Sequence, residues 1–235
     1  MAMLLDGTKM LVQRTQMVDH QLRDRGIEDV RVLAAMRALP RHLFVPEERM
    51  EEAYHDSALP IGFGQTISQP YMVALMLEAL GLGGQERVLD VGTGSGYQAA
   101  LLGLLAREVY SVEIVPELAA RARNTIESLG FEHVTVVLGN GSIGLPQAAP
   151  FDAIVVAAGA PEVPPSLLDQ LADGGRLVIP TGRLGVQDLL RVTKQAGTTH
   201  TEPITPCAFV PLLGDEGWQG FLGSATAEHE GKVPR

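Results

Sequence analysis

The sequence predicts an α/β fold: a doubly wound, mostly parallel sheet, preceded by a helical region and followed by an antiparallel strand pair. Three observations carry this. From residue 87 to residue 180, short apolar runs alternate with helical patterns, which means a parallel sheet with helices on both faces. A glycine turn, "VGTGSGY" (91–97), follows the first of those runs. After residue 185 the pattern changes, and "VQDLLRVTK" (186–194) and "ITPCAFVPLL" (204–213) have the look of paired terminal strands.

The elements follow in order. Residues 11–39 look helical: Val32, Leu33, Met36 and Leu39 recur at helical spacing, with Asp29 as an N-cap inside the stretch. Pro40 and Pro46 break the pattern. The segment "LPIGFGQTISQPYM" (59–72) then concentrates glycine, hydroxyl and amide groups ahead of a helical stripe of Met72, Leu75, Met76, Ala79 and Leu80. Gly81, Gly83 and Gly84 end that helix. "RVLDV" (87–91) is the first strand of the sheet, with a helix over 97–106. "EVYSVE" (108–113) is the second strand. A helix over 116–129 opens on Pro116, a residue tolerated in a first turn. "HVTVVLG" (133–139) and "FDAIVVAA" (151–158) are the next strands, the latter apolar enough to be buried on both faces. A helix over 164–172 and "GGRLVIP" (174–180) complete the last unit. The division expected is one domain over 1–214, made of a helical and loop region (1–70), a core (71–185) and terminal strands (186–214). A polar, loosely ordered tail (215–235) follows, in which Trp218 and Phe221 are the residues able to dock.

Composition narrows the function. The 235 residues carry a formal net charge of −10, whereas non-specific nucleic-acid binding needs a basic footprint. Cys207 is the single cysteine, so no internal disulfide forms and a reducing compartment is suited. No apolar stretch reaches the ~18 residues that cross a bilayer, and the first residues lack a signal-peptide core. A cytoplasmic protein without membrane or nucleic-acid partners is expected, with a monomer the favoured oligomeric state. The six histidines show no metal-ligand spacing, and no metal is expected.

The glycine turn carries the first chemical signal. Its spacing is Gly92-x-Gly94-x-Gly96, and Tyr97 stands where a dinucleotide fingerprint wants a third glycine or an alanine. A bulky ring there is expected to obstruct close helix–strand packing, which disfavours an NAD-dependent dehydrogenase. No Gly-Lys-Ser/Thr follows, so a P-loop is excluded. Glu113 ends the second strand, where an acid accepts hydrogen bonds from ribose hydroxyls; by itself it is equally a solvated strand-end carboxylate. Asp90 and Glu113 flank a turn that has no basic residue, so a pyrophosphate is poorly served. A nucleoside bearing a cationic centre is well served, and S-adenosylmethionine is such a ligand. Alone, the turn leaves open any methyltransferase of this fold, or an inactive nucleoside-binding module.

Other residues have plainer explanations. Ser68 suits a helix N-cap before Pro70. Thr66 and Gln65 suit bonds within their loop, and Gln69 suits the surface. Cys207 suits a buried small apolar group, and Met72 and Met76 suit the core.

Taken together, the motifs resemble the protein-L-isoaspartate O-methyltransferase family over roughly residues 15–218. The resemblance rests on "MVDHQLRDRGIEDVRVLAAMRALPRHLFVPE" (17–47), "LPIGFGQTISQPYMVALM" (59–76), the glycine turn, "VYSVE" (109–113), "FDAIVVAAGAPEVPPSLLDQL" (151–171), "GGRLVIP" and "FVPLLG" (209–214), in that order. It implies a Rossmann-like class I methyltransferase fold and S-adenosylmethionine as cofactor, with S-adenosylhomocysteine as product. It implies methylation of the free α-carboxylate of isoaspartyl, and D-aspartyl, residues in damaged polypeptides, which begins their repair through a succinimide. It points to Ser68 as the catalytic residue. It also points to Thr66 and Ile67, with Val210 and Pro211 on an extended segment, as substrate contacts. Cofactor contacts implied are Gln65, Asp90, Gly92, Thr93, Gly94, Gly96, Tyr97, Glu113, Ile114, Asn140 and Gly141. The chain departs from the family where Asn140 replaces a usual aspartate near adenine, and where Phe63 replaces a frequent histidine. Asn keeps an acceptor and adds a donor.

The substrate that the resemblance implies sets the chemistry. An α-carboxylate has an intrinsic pKa near ~3.5 and is ionised at neutral pH, so it attacks a sulfonium methyl without a general base. Catalysis is then mostly positioning. A fixed cation directly on the carboxylate would stabilise the ground state more than the transition state, so neutral donors are better suited.

Overall fold

The computed structural model describes residues 7–219. The predicted N-terminal helix is divided. Helix α1 (Thr8–Gln16) runs into a π-helical turn (Met17–Leu22) and a 3-10 turn (Arg23–Arg25) that stops at left-handed Gly26. Asp29 then caps α2 (Val30–Ala38), its carboxylate accepting from the N–H groups of Arg31 and Val32, as the sequence predicts.

The segment 59–72 is more ordered than a connecting loop. Leu59–Gly62 (β1) and Gln65–Ile67 (β2) pair antiparallel as a hairpin. Helix α3 (Pro70–Leu80) follows and ends on left-handed Gly81. Then come β3 (Arg87–Val91), α4 (Tyr97–Leu105), β4 (Glu108–Glu113), α5 (Pro116–Ser128), β5 (Val134–Leu138), β6 (Phe151–Val156), α6 (Pro165–Gln170), β7 (Leu171–Arg183), β8 (Val186–Gln195) and β9 (Thr198–Cys207).

These strands build a seven-stranded sheet in the order β5-β4-β3-β6-β7-β8-β9. Pairing is parallel from β5 to β7 and antiparallel from β7 to β9. The doubly wound expectation holds. The last strand is displaced: β9 starts at Thr198 and ends at Cys207, so 208–213 leaves the sheet rather than closing it. Pro203 and Pro206 in β9 fit an edge strand, where a missing N–H costs nothing.

Burial follows the two-residue period of the strands. Along β3, Val88 enters the core beneath α1–α4, while Leu89 and Val91 enter the core on the other face with Leu167 of α6. The chain leaves β3 toward β4 on one side and later returns to β6 on the other. This is the switch point of the sheet, and ligands of such folds bind above it at the carboxyl ends of the strands. Among the described residues, no helix is long and apolar enough to cross a membrane.

Candidate active site

A cleft opens above the carboxyl ends of β3 and β4. Gly92, Gly94 and Gly96 all take left-handed backbone, with φ of 91°, 53° and 88°, which a side chain would disfavour. The glycines divide the work. Gly92 and Gly94 line the cleft. Gly96 packs: a Cβ there would lie 3.2 Å from Ala122 Cβ and 3.3 Å from Ile126 Cδ1 on α5. This close approach is made one residue before Tyr97. The Tyr97 ring therefore does not obstruct it; it is buried, lines the cleft, and meets Phe44 edge-on at 5.4 Å.

Glu113 closes the turn from β4. Its Oε2 accepts the Gly94 N–H at 2.7 Å, and its Oε1 accepts those of Ile114 and Val115, each at 2.9 Å. A carboxylate has about four acceptor sites, so capacity remains for a ligand hydroxyl. Asp90 lies one layer down and does not line the cleft. It is fully buried and accepts from Gln98 Nε2 at 2.9 Å and Ser111 Oγ at 2.7 Å. Ser111 Oγ lies 2.5 Å from Thr93 Oγ1, so Asp90 braces the turn through this chain. Burial pushes its pKa up to about 6.

The opposite wall is the hairpin. Its tip, Gly62–Phe63–Gly64, is left-handed at all three residues. Arg121 of α5 donates to the Ile61 carbonyl at 3.0 Å and ties the hairpin to the cofactor half. The N-cap of α3 is Gln69, and no side-chain hydrogen bond caps the helix. Ser68 is therefore not a capping residue, because Pro70 begins the helix one position too late for it.

Residues 208–213 cross the mouth as a strap. Gln187 of β8, buried in the core, accepts the Phe209 N–H at 2.7 Å and donates to the Phe209 carbonyl at 3.4 Å. Its side-chain amide does the work of a neighbouring strand. Gly159 receives Leu212 N–H on its carbonyl and donates to the Val210 carbonyl, both at 2.8 Å. Trp218 Nε1 donates to the same Gly159 carbonyl at 3.0 Å, and Glu216 accepts from Ser166 N and Oγ. So residues 215–219 dock, against the loose tail expected; Phe221 lies outside the described residues.

Two cavities meet under the strap. The cleft is lined by the glycine turn, Glu113, Ile114, Gly141, Gln65, Ile67 and Pro211; an outer groove is lined by Asp56, Gln69, Met72, Cys207 and Phe209. Thr66, Ser68, Ala157 and Val210 line both. Met72 and Cys207 are partly buried: they pack against the core, as expected, and also line the groove, while Met76 is fully buried. Burial pushes the Cys207 thiol up to about 11, so it is a neutral wall group at physiological pH.

Most of the predicted site residues converge on these cavities, but Asp90, Gly96 and Asn140 do not line them. Asn140 instead caps the turn Gly141–Ile143, its Oδ1 accepting from Ser142 N at 3.1 Å and Oγ at 2.8 Å. Gly214, the residue after the strap, closes over it, in a space where a Cβ would lie 2.1 Å from that oxygen. Sequence reasoning missed Arg41 and Gln187. Both are polar residues in otherwise ordinary stretches, and only their burial marks them.

The cleft suits S-adenosylmethionine. Among the described residues its lining contains Glu113 and no lysine, arginine or histidine, so it offers a carboxylate to a cationic nucleoside and no cation to a phosphate. Fold and site together define a methyltransferase of the doubly wound class that uses S-adenosylmethionine. The chain belongs to the protein-L-isoaspartate(D-aspartate) O-methyltransferase family, whose pattern matches residues 13–217. It is 56% identical over 215 residues to protein-L-isoaspartate O-methyltransferase 2 of Marinobacter nauticus, covering 91% of this chain and 98% of the relative. A solved protein-L-isoaspartate O-methyltransferase structure superposes with TM-score 0.79 at 30% identity, over 87% of this chain and 67% of the other. A Plasmodium falciparum relative, solved in complex with S-adenosyl-L-homocysteine, superposes with TM-score 0.75 at 28% identity, over 85% and 98%.

Proposed function

We infer that the chain transfers a methyl group from S-adenosylmethionine to the free α-carboxylate of isoaspartyl residues, and of D-aspartyl residues, with Ser68 orienting that carboxylate. One observation supports the residue assignment: Thr66 and Ser68 are hydroxyl residues that line both cavities, the junction at which donor and acceptor must meet. The loss of the capping explanation for Ser68 strengthens it.

Gln65, Gly92, Thr93, Gly94, Tyr97, Glu113, Ile114 and Gly141 hold the cofactor, Glu113 through its ribose. Asp90, Gly96 and Asn140 act behind that surface. When bound, the cofactor supplies an electrophilic methyl on a sulfonium. The acceptor is already ionised, so the chain's work is to bind, align and exclude water. Ser68 and Thr66 donate to the carboxylate, while Ile67, Val210 and Pro211 hold the flanking peptide. Damaged polypeptides are the partners. We place the enzyme in the cytoplasm, as a monomer; the unpaired Cys207 suits a reducing compartment.

The test is methylation of an isoaspartyl peptide against its normal aspartyl twin. Transfer to the isoaspartyl form alone is expected, and equal or absent transfer would sink the assignment. Ser68→Ala should lower kcat/KM for the peptide by about tenfold or more, the worth of a hydrogen bond to a charged group. Cofactor affinity should stay near normal. Weakened cofactor binding with intact peptide turnover would remove Ser68 from this role.

A further inference from the structure

Arg41 lies behind Ser68 and is fully buried. Arginine is rarely buried completely unless it is paired with an acid, yet among the described residues no carboxylate forms an ion pair with it; the ring packed nearest it is the neutral phenol of Tyr97. Its hydrogen bonds go to main-chain carbonyls. Nε donates to Ala53 and Nη2 to Ser68, each at 2.8 Å. Nη1 is buried with no hydrogen-bond partner among the described residues. The guanidinium carbon stands 5.0 Å from the centre of the Tyr97 ring, which lines the cofactor cleft. One buried cation therefore touches the backbone of the acceptor site and a wall of the donor site.

A buried charge without a counter-charge is costly. Burial lowers the Arg41 pKa to about 10, still far above neutral, so the group remains a cation. A cation on the Ser68 carbonyl polarises the Ser68–Gln69 peptide, which strengthens its N–H as a donor. It also fixes the main chain that carries the Ser68 hydroxyl. The ligand inferred for this site is an anion, and it supplies the missing counter-charge.

We propose that Arg41 is the positioning residue of the acceptor site: it holds Ser68 by its carbonyl and, through that peptide, provides the positive field that receives the substrate carboxylate. The proposal rests on the role inferred for Ser68. A peptide unit stands between the guanidinium and the substrate. The carboxylate is thus stabilised by a field rather than held in a direct ion pair, which would favour the ground state over the transition state.

The experiment uses the full chain with Arg41→Lys and Arg41→Met, each alone and on a Ser68→Ala background. Thermal melts verify folding. Three quantities are measured: kcat/KM for an isoaspartyl peptide, the Kd of the cofactor, and the inhibition constants of two non-reacting peptides. The first inhibitor carries an α-carboxylate, held one methylene out of reach, and the second the neutral α-carboxamide. Arg41→Met should lower kcat/KM by about 50-fold, and Arg41→Lys, which keeps the charge and loses the fork, by about fivefold. Cofactor Kd should move by less than about threefold. The preference for carboxylate over carboxamide should collapse in Arg41→Met and persist in Arg41→Lys. Each substitution should cost less on the Ser68→Ala background, because both residues act on one carboxylate. A folded Arg41→Met that keeps the carboxylate preference would overturn the proposal, as would equal weakening of both inhibitors or, where Ser68→Ala itself lowers kcat/KM, full additivity with it. If Arg41→Met does not fold, Arg41→Lys decides: cofactor affinity falling as much as kcat/KM, or loss of the carboxylate preference despite the retained charge, overturns it. An effect of Arg41 with no effect of Ser68→Ala identifies failure of the Ser68 assignment instead.

Discussion

The two halves of the active site are built in opposite ways. The cofactor half is one contiguous strand–turn–helix with a neighbouring strand, and its buried charges are the carboxylates Asp90 and Glu113. The acceptor half is gathered from a hairpin, a helix start, a strap and a turn far away in sequence, and its buried charge is the cation Arg41. The polarity is matched to the ligands, a cationic donor on the acidic side and an anionic acceptor on the basic side. Each half also turns its charge to backbone work: Glu113 holds N–H groups of the glycine turn, and Arg41 holds carbonyls of the hairpin region. A site that must bring opposite charges together gains by placing the counter-charge of each beneath its own wall.

The sharpest way to break this division is Glu113→Ala. It removes the acceptor proposed for the ribose and frees three backbone N–H groups. Cofactor affinity measured by calorimetry should fall about 100-fold, the upper range for hydrogen bonds to a charged group. Peptide KM at saturating cofactor should hardly move. A peptide KM that rises as steeply as the cofactor Kd would show that the halves are not separable.

Gln187→Met asks to which half the strap belongs. The substitution keeps the volume and deletes both hydrogen bonds to Phe209. At about 1 kcal/mol for each bond, part of it felt at the site, peptide KM should rise about fivefold. Cofactor Kd should change by about twofold or less. The reverse ratio would assign the strap to the cofactor.

Asp90→Asn should have the smallest effect on ligands, under about threefold on cofactor Kd, since Asp90 braces the turn without lining the cleft. Its signature is stability. Burial raises the native pKa to about 6, above the ordinary value near ~3.9. The folded state thus binds this proton more tightly than the unfolded chain. The favourable contribution is complete below pH ~4 and is lost as pH rises through ~6, a swing of roughly 3 kcal/mol. Urea unfolding across that window should show this falling component in the wild type and not in Asp90→Asn, which carries no ionisable group at that position. Identical slopes in both proteins would mean that Asp90 ionises as freely as it does in the unfolded chain.

Legibility followed the same division. The alternation of apolar runs and helical stripes located β3 to β6 closely, because each such element has its own period and its own breakers; β7, expected over 174–180, runs Leu171–Arg183 and begins where the preceding helix was expected to continue. The Asp29 cap was visible for the same reason. The hairpin at 59–67 was not, because three consecutive left-handed residues at its tip include Phe63, which gives no turn signal. The end of the last strand was misplaced because "CAFVPLL" is as apolar as a strand. It leaves the sheet only because Gln187 and Gly159 hold it elsewhere.

By itself, then, the sequence determined the doubly wound sheet, the cofactor turn with Glu113 at its side, and through its motifs the family, with Ser68 as its candidate for the acceptor site. Tertiary structure alone decided that Gly96 packs while Gly94 lines the cleft, that Asn140 turns inward to cap, and that Ser68 is held from behind by a buried cation. The physical reason is range. Periodicity and turn chemistry act over a few neighbouring residues and are written in sequence order. Burial, by contrast, depends on residues far apart in the chain, and burial is what turns an ordinary arginine, glutamine or aspartate into part of a site.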